Sequence, residues 1–195
     1  STPIKSSAAS DVYKRQLKYI AIKTPCDENS DTVPTSQCQF DLARILADEL
    51  KELGLDKVVL DDKCFVYGIL AATPGYENKK KLGFIAHMDT VPEFCEAEIH
   101  PVCTPDYDGC DLVLGDSGRV LTTKDFPHLK GLKGRTLITS DGNTILGVDD
   151  KAGIAEIMQL LEILITEKIP HGQISVASVS YTHLRAPRDS TSSRM

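Results

Sequence analysis

Two short stretches of this 195-residue chain carry residue types that could do chemistry together. The first is His87-Met-Asp89, which closes the run Lys81-Leu-Gly-Phe-Ile-Ala-His-Met-Asp-Thr90. An imidazole and a carboxylate two residues apart project from the same face of an extended strand, because strand side chains alternate. A metal-binding imidazole gives one nitrogen to the ion and donates its other N–H to a carboxylate, which fixes the tautomer and the ring orientation. His87 and Asp89 suit that arrangement, and they equally suit a partly buried His paired with an acid for structural reasons alone. The second stretch is Asp149-Asp150, directly before Lys-Ala-Gly153 and a long apolar segment. Asp is among the preferred helix N-caps because its oxygen accepts orphan backbone N–H groups. Two adjacent acids exceed that need, so one can cap while the other reaches outward. An outward carboxylate can bridge a pair of divalent ions held about 3.5–4 Å apart.

The elements that must position these residues are read from periodicity. Leu82 to Ala86 is a short apolar run bounded by lysines and turn chemistry, which predicts a buried strand ending near Asp89. Its carboxyl end is where ligands bind in open α/β sheets. Upstream, Leu17–Lys23 reads as the tail of a helix. A polar loop follows, and Thr35 or Ser36 is placed to cap a second helix, in which Phe40, Leu42, Ala43, Ile45, Leu46, Leu50 and Leu53 recur at helical spacing up to Gly54. The segments 57–61 and 64–71 read as a hairpin turned at Asp62-Lys63. From Val91 to Gly134 the periodicity fades, with 111–114 and 119–121 as candidate small strands. A loop this long carries function or local structure of its own. Gly134–Thr139 predicts a strand, Ile154–Thr166 a largely buried helix, and Gln173–Ala177 a further strand. This order predicts a layered α/β domain. A sheet that ends on the last of these strands would leave an open edge and an uncovered apolar face.

Composition excludes some function classes. A net charge of −6 gives no clustered basic face for nucleic acid. No run approaches a membrane span and no early apolar region marks a signal peptide. Six cysteines without a C-x-x-C pair suggest reduced thiols and a cytoplasmic setting. Cys95, His100, Cys103 and Cys110 match no common structural-zinc spacing. Residues 1–16 and 178–195 are rich in Ser, Thr, Arg and Ala and resemble translated adapter sequence, so the expected domain organisation is an artefactual leader (1–16), a domain over 17–177 and an artefactual tail (178–195).

Phe84-Ile-Ala-His-Met-Asp-Thr-Val-Pro92, with Ile145-Leu-Gly-Val-Asp-Asp-Lys-Ala-Gly-Ile-Ala155 downstream, resembles the co-catalytic zinc metallopeptidases that include aminoacylase and glutamate carboxypeptidase. Asp125-Phe-Pro-His128 and Gly134-Arg-Thr-Leu-Ile-Thr139 extend the likeness, which covers nearly all of 17–177; Val148 stands where the family usually has Ala. The resemblance implies the N-terminal part of a zinc-peptidase catalytic domain, with a mixed sheet flanked by helices. It implies His87 as a zinc ligand, Asp89 as the catalytic acid that orients it, and Asp149 as the bridge between two Zn2+ ions, joined to Asp150 by a cis peptide. The implied reaction removes the N-terminal residue of a tripeptide, so the implied partner is a small peptide, with no nucleic acid or membrane. The family also inserts a dimerisation domain, implying a homodimer of the full-length protein. Its general-base Glu, an adjacent Glu ligand, a further acidic ligand and a final His have no counterpart here, so this chain by itself is expected to be inactive. Two alternatives stand beside this reading: another enzyme of the clan (a dipeptidase, acylase or deacylase), and a non-catalytic α/β binding module.

Overall fold

The apolar positions spaced three and four apart in 39–52 form a helix, and Gly54 ends it. In the computed structural model, which describes residues 7–95 and 97–180 with side chains from residue 12 onward, this helix is α2 (Gln39–Glu52). Gly54 lies at φ +81°, its N–H donates to Lys51 O, and the N–H of Leu55 donates to Leu50 O. That pair of bonds is the Schellman closure, which needs a left-handed residue. At the other end the expected Thr35 or Ser36 cap is absent. Cys38 occupies the N-cap position without a side-chain bond to the helix backbone, and backbone bonds from Gln39 to Ser36 and from Phe40 to Gln37 lead into the helix instead.

Chain contacts divide the protein into two compact units, 92–147 and the segments on either side of it. The flanking unit holds α1 (Ser7–Ile20), α2, β1 (Asp56–Leu60), β2 (Val66–Leu70), β3 (Leu82–His87), α3 (Lys151–Thr166) and β8 (Ile174–Val179). Its sheet is mixed, in the order β1-β2-β8-β3, with β8 antiparallel to β2 and parallel to β3. All three helices contribute to one apolar core with a single face of this sheet, where Val66, Ala86, Ile174 and Val176 meet Tyr19, Leu42, Leu46, Leu50, Ile154, Met158 and Leu161. Gly68 lies under α2, where a Cβ would press on Leu50 and Leu55 at 3.3 and 3.1 Å.

Two expectations are corrected. β3 is not a buried strand. It pairs with β8 alone and forms the sheet edge among the described residues, leaving Leu82 52% and Ile85 67% exposed. The strand Ile174–Val179 is interior and not terminal in the sheet, because its parallel pairing with β3 puts it between β2 and β3. The helix expected at 17–23 spans Ser7–Ile20. Its Arg15 pairs with Glu49 of α2 at 2.6 Å and with Glu162 of α3 at 2.7 Å. The expected tail falls outside the described residues beyond Ser180.

The unit 92–147 has its own small core of Tyr107, Leu112 and Leu129. The anticipated short strands pair as β5 (Leu112–Val113) and β6 (Val120–Leu121). β7 (Leu137–Ser140) pairs antiparallel with β4 (Pro101–Thr104), a strand that the sequence pattern does not announce. A 3-10 turn spans Pro127–Leu132.

Candidate metal and catalytic site

The site is built where β3 ends and α3 begins. β3 runs in register with β8 up to His87 opposite Val179, and Met88 still donates to Val179 O at 2.9 Å. Beyond that point β8 no longer supplies partners, and the segment 24–26 takes over. Thr24 Oγ1 donates to Met88 O at 2.7 Å, Thr90 N to Thr24 O at 2.9 Å, and Cys26 N to Thr90 O at 2.9 Å. The strand therefore stops two residues earlier than expected, yet His87 and Asp89 remain side by side. His87 Nδ1 lies 2.9 Å from the backbone carbonyl oxygen of Asp89 and 3.6 Å from its carboxylate Oδ1. The carbonyl is thus the hydrogen-bond acceptor at this nitrogen, and the carboxylate, 4% exposed over the whole residue, stands just beyond bonding distance.

On the other side of the ring, Nε2 lies 3.2 Å from Asp149 Oδ1. Asp149 and Asp150 divide their labour as two acids at a helix start can. Asp150 is the N-cap of α3 and accepts from Gly153 N at 3.1 Å, while the Asp149 side chain is 91% exposed and turned to His87. The peptide bond between them is cis. A Cβ at Gly153 would collide with the Asp150 carboxylate, which explains the small residue there. Lys151 is fully buried and its Nζ donates to Ile22 O at 2.5 Å. A cation in the first turn opposes the helix dipole, and that conflict is the one signal in the sequence that this lysine is structural. The segment 22–26 therefore holds both halves of the site: the end of β3 through Thr24 and Cys26, and the start of α3 through Lys151.

His87 has acceptors at both ring nitrogens, the Asp89 carbonyl at one and the Asp149 carboxylate at the other. A neutral imidazole has a single N–H, so its other nitrogen keeps a lone pair of the kind a metal ligand needs. The donor spacing fits a metal. Bonds of about 2.0–2.2 Å in tetrahedral geometry place two donors about 3.4 Å apart, close to the 3.2 Å between His87 Nε2 and Asp149 Oδ1. The described residues contain no group of three His, Cys, Asp or Glu side chains placed to hold a metal ion. Cys95, Cys103 and Cys110 form no disulfide among the described residues, and the last two are exposed.

Solved structures with this fold include aminopeptidase PepT from Bacillus cereus (TM-score 0.57, 21% identity, 87% of this chain and 35% of that one) and a tripeptidase from Staphylococcus aureus (TM-score 0.58, 23% identity, 89% and 37%). No family model matches the chain. In sequence, it is 48% identical over 172 residues to peptidase T of Caldanaerobacter subterraneus and 45% identical over 169 residues to peptidase T of Geobacillus kaustophilus, in each case across 86% of this chain. The structures share the α/β fold of this chain, and the sequence relatives are peptidases. The chain is thus similar to peptidase T sequences, and it spans about two fifths (41%) of the length of those relatives.

Proposed function

We propose that this chain supplies the N-terminal share of a two-zinc tripeptide aminopeptidase site, in which His87 and Asp149 are ligands, Asp89 orients His87, and the domain proper spans 17–177. The observation that carries the reading is the imidazole of His87 held between Asp89 and the outward Asp149. When bound, zinc polarises a scissile carbonyl and lowers the pKa of a bound water toward about 7. The protein's own contribution is positional. The Asp89 carbonyl fixes the ring so that Nε2 faces Asp149, and the Asp150 cap leaves Asp149 unburied and able to bridge. A catalytic zinc takes three protein ligands and a water, so His87 and Asp149 require further ligands, and the 195-residue chain alone is inactive in this reading. The substrate is a small peptide, the setting cytoplasmic and the full-length enzyme a homodimer; no described helix is long and apolar enough to cross a membrane.

The test is a chimera in which these residues replace the matching stretch of Caldanaerobacter peptidase T. It is expected to hydrolyse tripeptides in preference to dipeptides and N-acyl amino acids, to lose activity to a chelator, and to fall by about 10³-fold or more with His87→Ala or Asp149→Ala, as expected when a ligand of a charge-stabilising metal is removed. Preference for dipeptides or acylated substrates would select another enzyme of the clan. Full activity in both variants would leave the binding-module reading.

A further inference from the structure

Thr24 grips the chain on both sides of Asp89. Its hydroxyl Oγ1 donates to Met88 O at 2.7 Å, and its own carbonyl oxygen accepts from Thr90 N at 2.9 Å. One residue thus fixes two successive peptide planes, 88–89 and 89–90, neither of which is cis. A planar trans peptide points its C=O and its N–H in opposite directions. The 89–90 plane therefore turns its N–H to Thr24 and its C=O to the other side, where His87 Nδ1 lies 2.9 Å from the Asp89 oxygen.

Thr24 is itself firmly held and only 1% exposed. Ile22 O accepts from Lys151 Nζ at 2.5 Å and Pro25 O from Gln39 Nε2 at 3.4 Å, and both of those side chains are fully buried. These anchors come from α2 and α3, so the packed core, and not the strand that it grips, sets the position of Thr24. A backbone carbonyl can only accept a hydrogen bond. Nδ1 must then carry the proton of a neutral His87, which leaves the lone pair on Nε2, 3.2 Å from Asp149 Oδ1. The other tautomer would donate Nε2–H to Asp149 and set two lone pairs against each other at the Asp89 carbonyl. Of the two competing acceptors, the Asp149 carboxylate is 91% exposed and open to water, whereas the Asp89 carbonyl is locked in place through Thr24.

We propose that Thr24 is a positioning residue: by fixing the 89–90 peptide it selects the Nδ1–H tautomer of His87 and presents Nε2 to Asp149 as a lone-pair donor. The tautomer follows from the hydrogen bonds alone, and its consequence for metal binding rests on the two-ligand reading above.

Nitrogen NMR of the 15N-labelled 195-residue chain reads the tautomer directly, with His87 assigned by comparison with His87→Gln. At about pH 9, above the ordinary imidazole pKa of about 6.5, the wild-type ring is expected to carry its proton on Nδ1. Thr24→Val keeps the side-chain shape and removes the donor to Met88 O. It is expected to raise the Nε2–H population about fivefold, the effect of one hydrogen bond, while Thr24→Ser keeps the hydroxyl and the wild-type tautomer. A residue that only stabilised the fold would lower the melting temperature and leave the tautomer ratio alone. In the chimera with Caldanaerobacter peptidase T, Thr24→Val is expected to weaken zinc binding about tenfold in competition with a chelator, as loss of an outer partner of a ligand does. His87→Ala separates the two readings: a chimera that holds zinc equally well without His87 sinks the two-ligand reading, and the tautomer still decides the role of Thr24. A wild-type His87 protonated on Nε2, which needs no variant to fold, would overturn the proposal. So would a tautomer ratio unmoved by Thr24→Val, or zinc binding that needs His87 and is indifferent to Thr24→Val.

Discussion

The two faces of the β1-β2-β8-β3 sheet come from the same strands with the same alternation, and they meet different environments. On one face Val66, Ala86, Ile174 and Val176 lie beneath the helices at 6% exposure or less. On the other, Val59, Tyr67 and Ile85 are at least 40% exposed. Hydropathy does not separate the two sets, since both are Val, Ile and small or aromatic residues suited to strands. What separates them is the placement of α1, α2 and α3 on one side. His87 belongs to the face without helices, and that is why its ring remains reachable at the strand end. The helices make the sheet stable, and the side they leave bare makes it useful.

This contrast can be broken in three ways. The largest difference should be in thiol chemistry. Cys64 lies in the helix-covered core, where burial, followed by the charge of Asp61, pushes its thiol up to about 12. A raised pKa keeps the reactive thiolate scarce below that pH, so at pH 8 Cys64 should react with a thiol reagent at least about a hundredfold more slowly than exposed Cys103 and Cys110. Its reactivity should return when the chain is unfolded or as pH climbs toward 12, which mass spectrometry of labelled peptides would resolve. Next, Leu46→Ala removes a side chain of α2 that is 1% exposed. It should destabilise by about 2–5 kcal/mol in denaturant melts, the usual cost of a core truncation. Smallest is Ile85→Thr on the bare face, which should change monomer stability by no more than about 0.5 kcal/mol. If Ile85→Thr costs as much as Leu46→Ala, the two faces are not distinct in the way described.

The layered α/β class, the hairpin, α3 and the stop at Gly54 were legible in the sequence because each depends on local periodicity or on a residue with special backbone freedom. The pairing of His87 with Asp89 was legible for the same reason, since two residues of one strand share a face. Placing β3 at the sheet edge was not legible, because a run such as Leu-Gly-Phe-Ile-Ala looks alike with one strand neighbour or with two. Likewise, the sequence does not show that the Asp89 carbonyl, and not its carboxylate, would lie nearest His87 Nδ1. That depends on where β8 stops pairing and Thr24 takes over. Asp149-Asp150 announced a capping acid and an outward one without saying which was which; the bond from Gly153 N assigns the cap to Asp150. The role of Lys151 depends on Ile22, far away in sequence, and no local pattern could name that partner.

The stitching of Ile22–Cys26 to both halves of the site also bears on how the protein folds. His87 and Asp149 meet only after the chain has closed the long excursion 92–147, and their supports come from near residue 24 and from β8. Apart from the local bonds of His87 to Asp89 and of Gly153 to Asp150, the contacts that shape the site join segments distant in sequence, and contacts of that kind raise contact order and are slow to form. The helices can form early from local signals, but the imidazole and its two acids assemble late, after the sheet is in register. In the proposed reading, a metal ion would meet a finished framework at this site and would not template it.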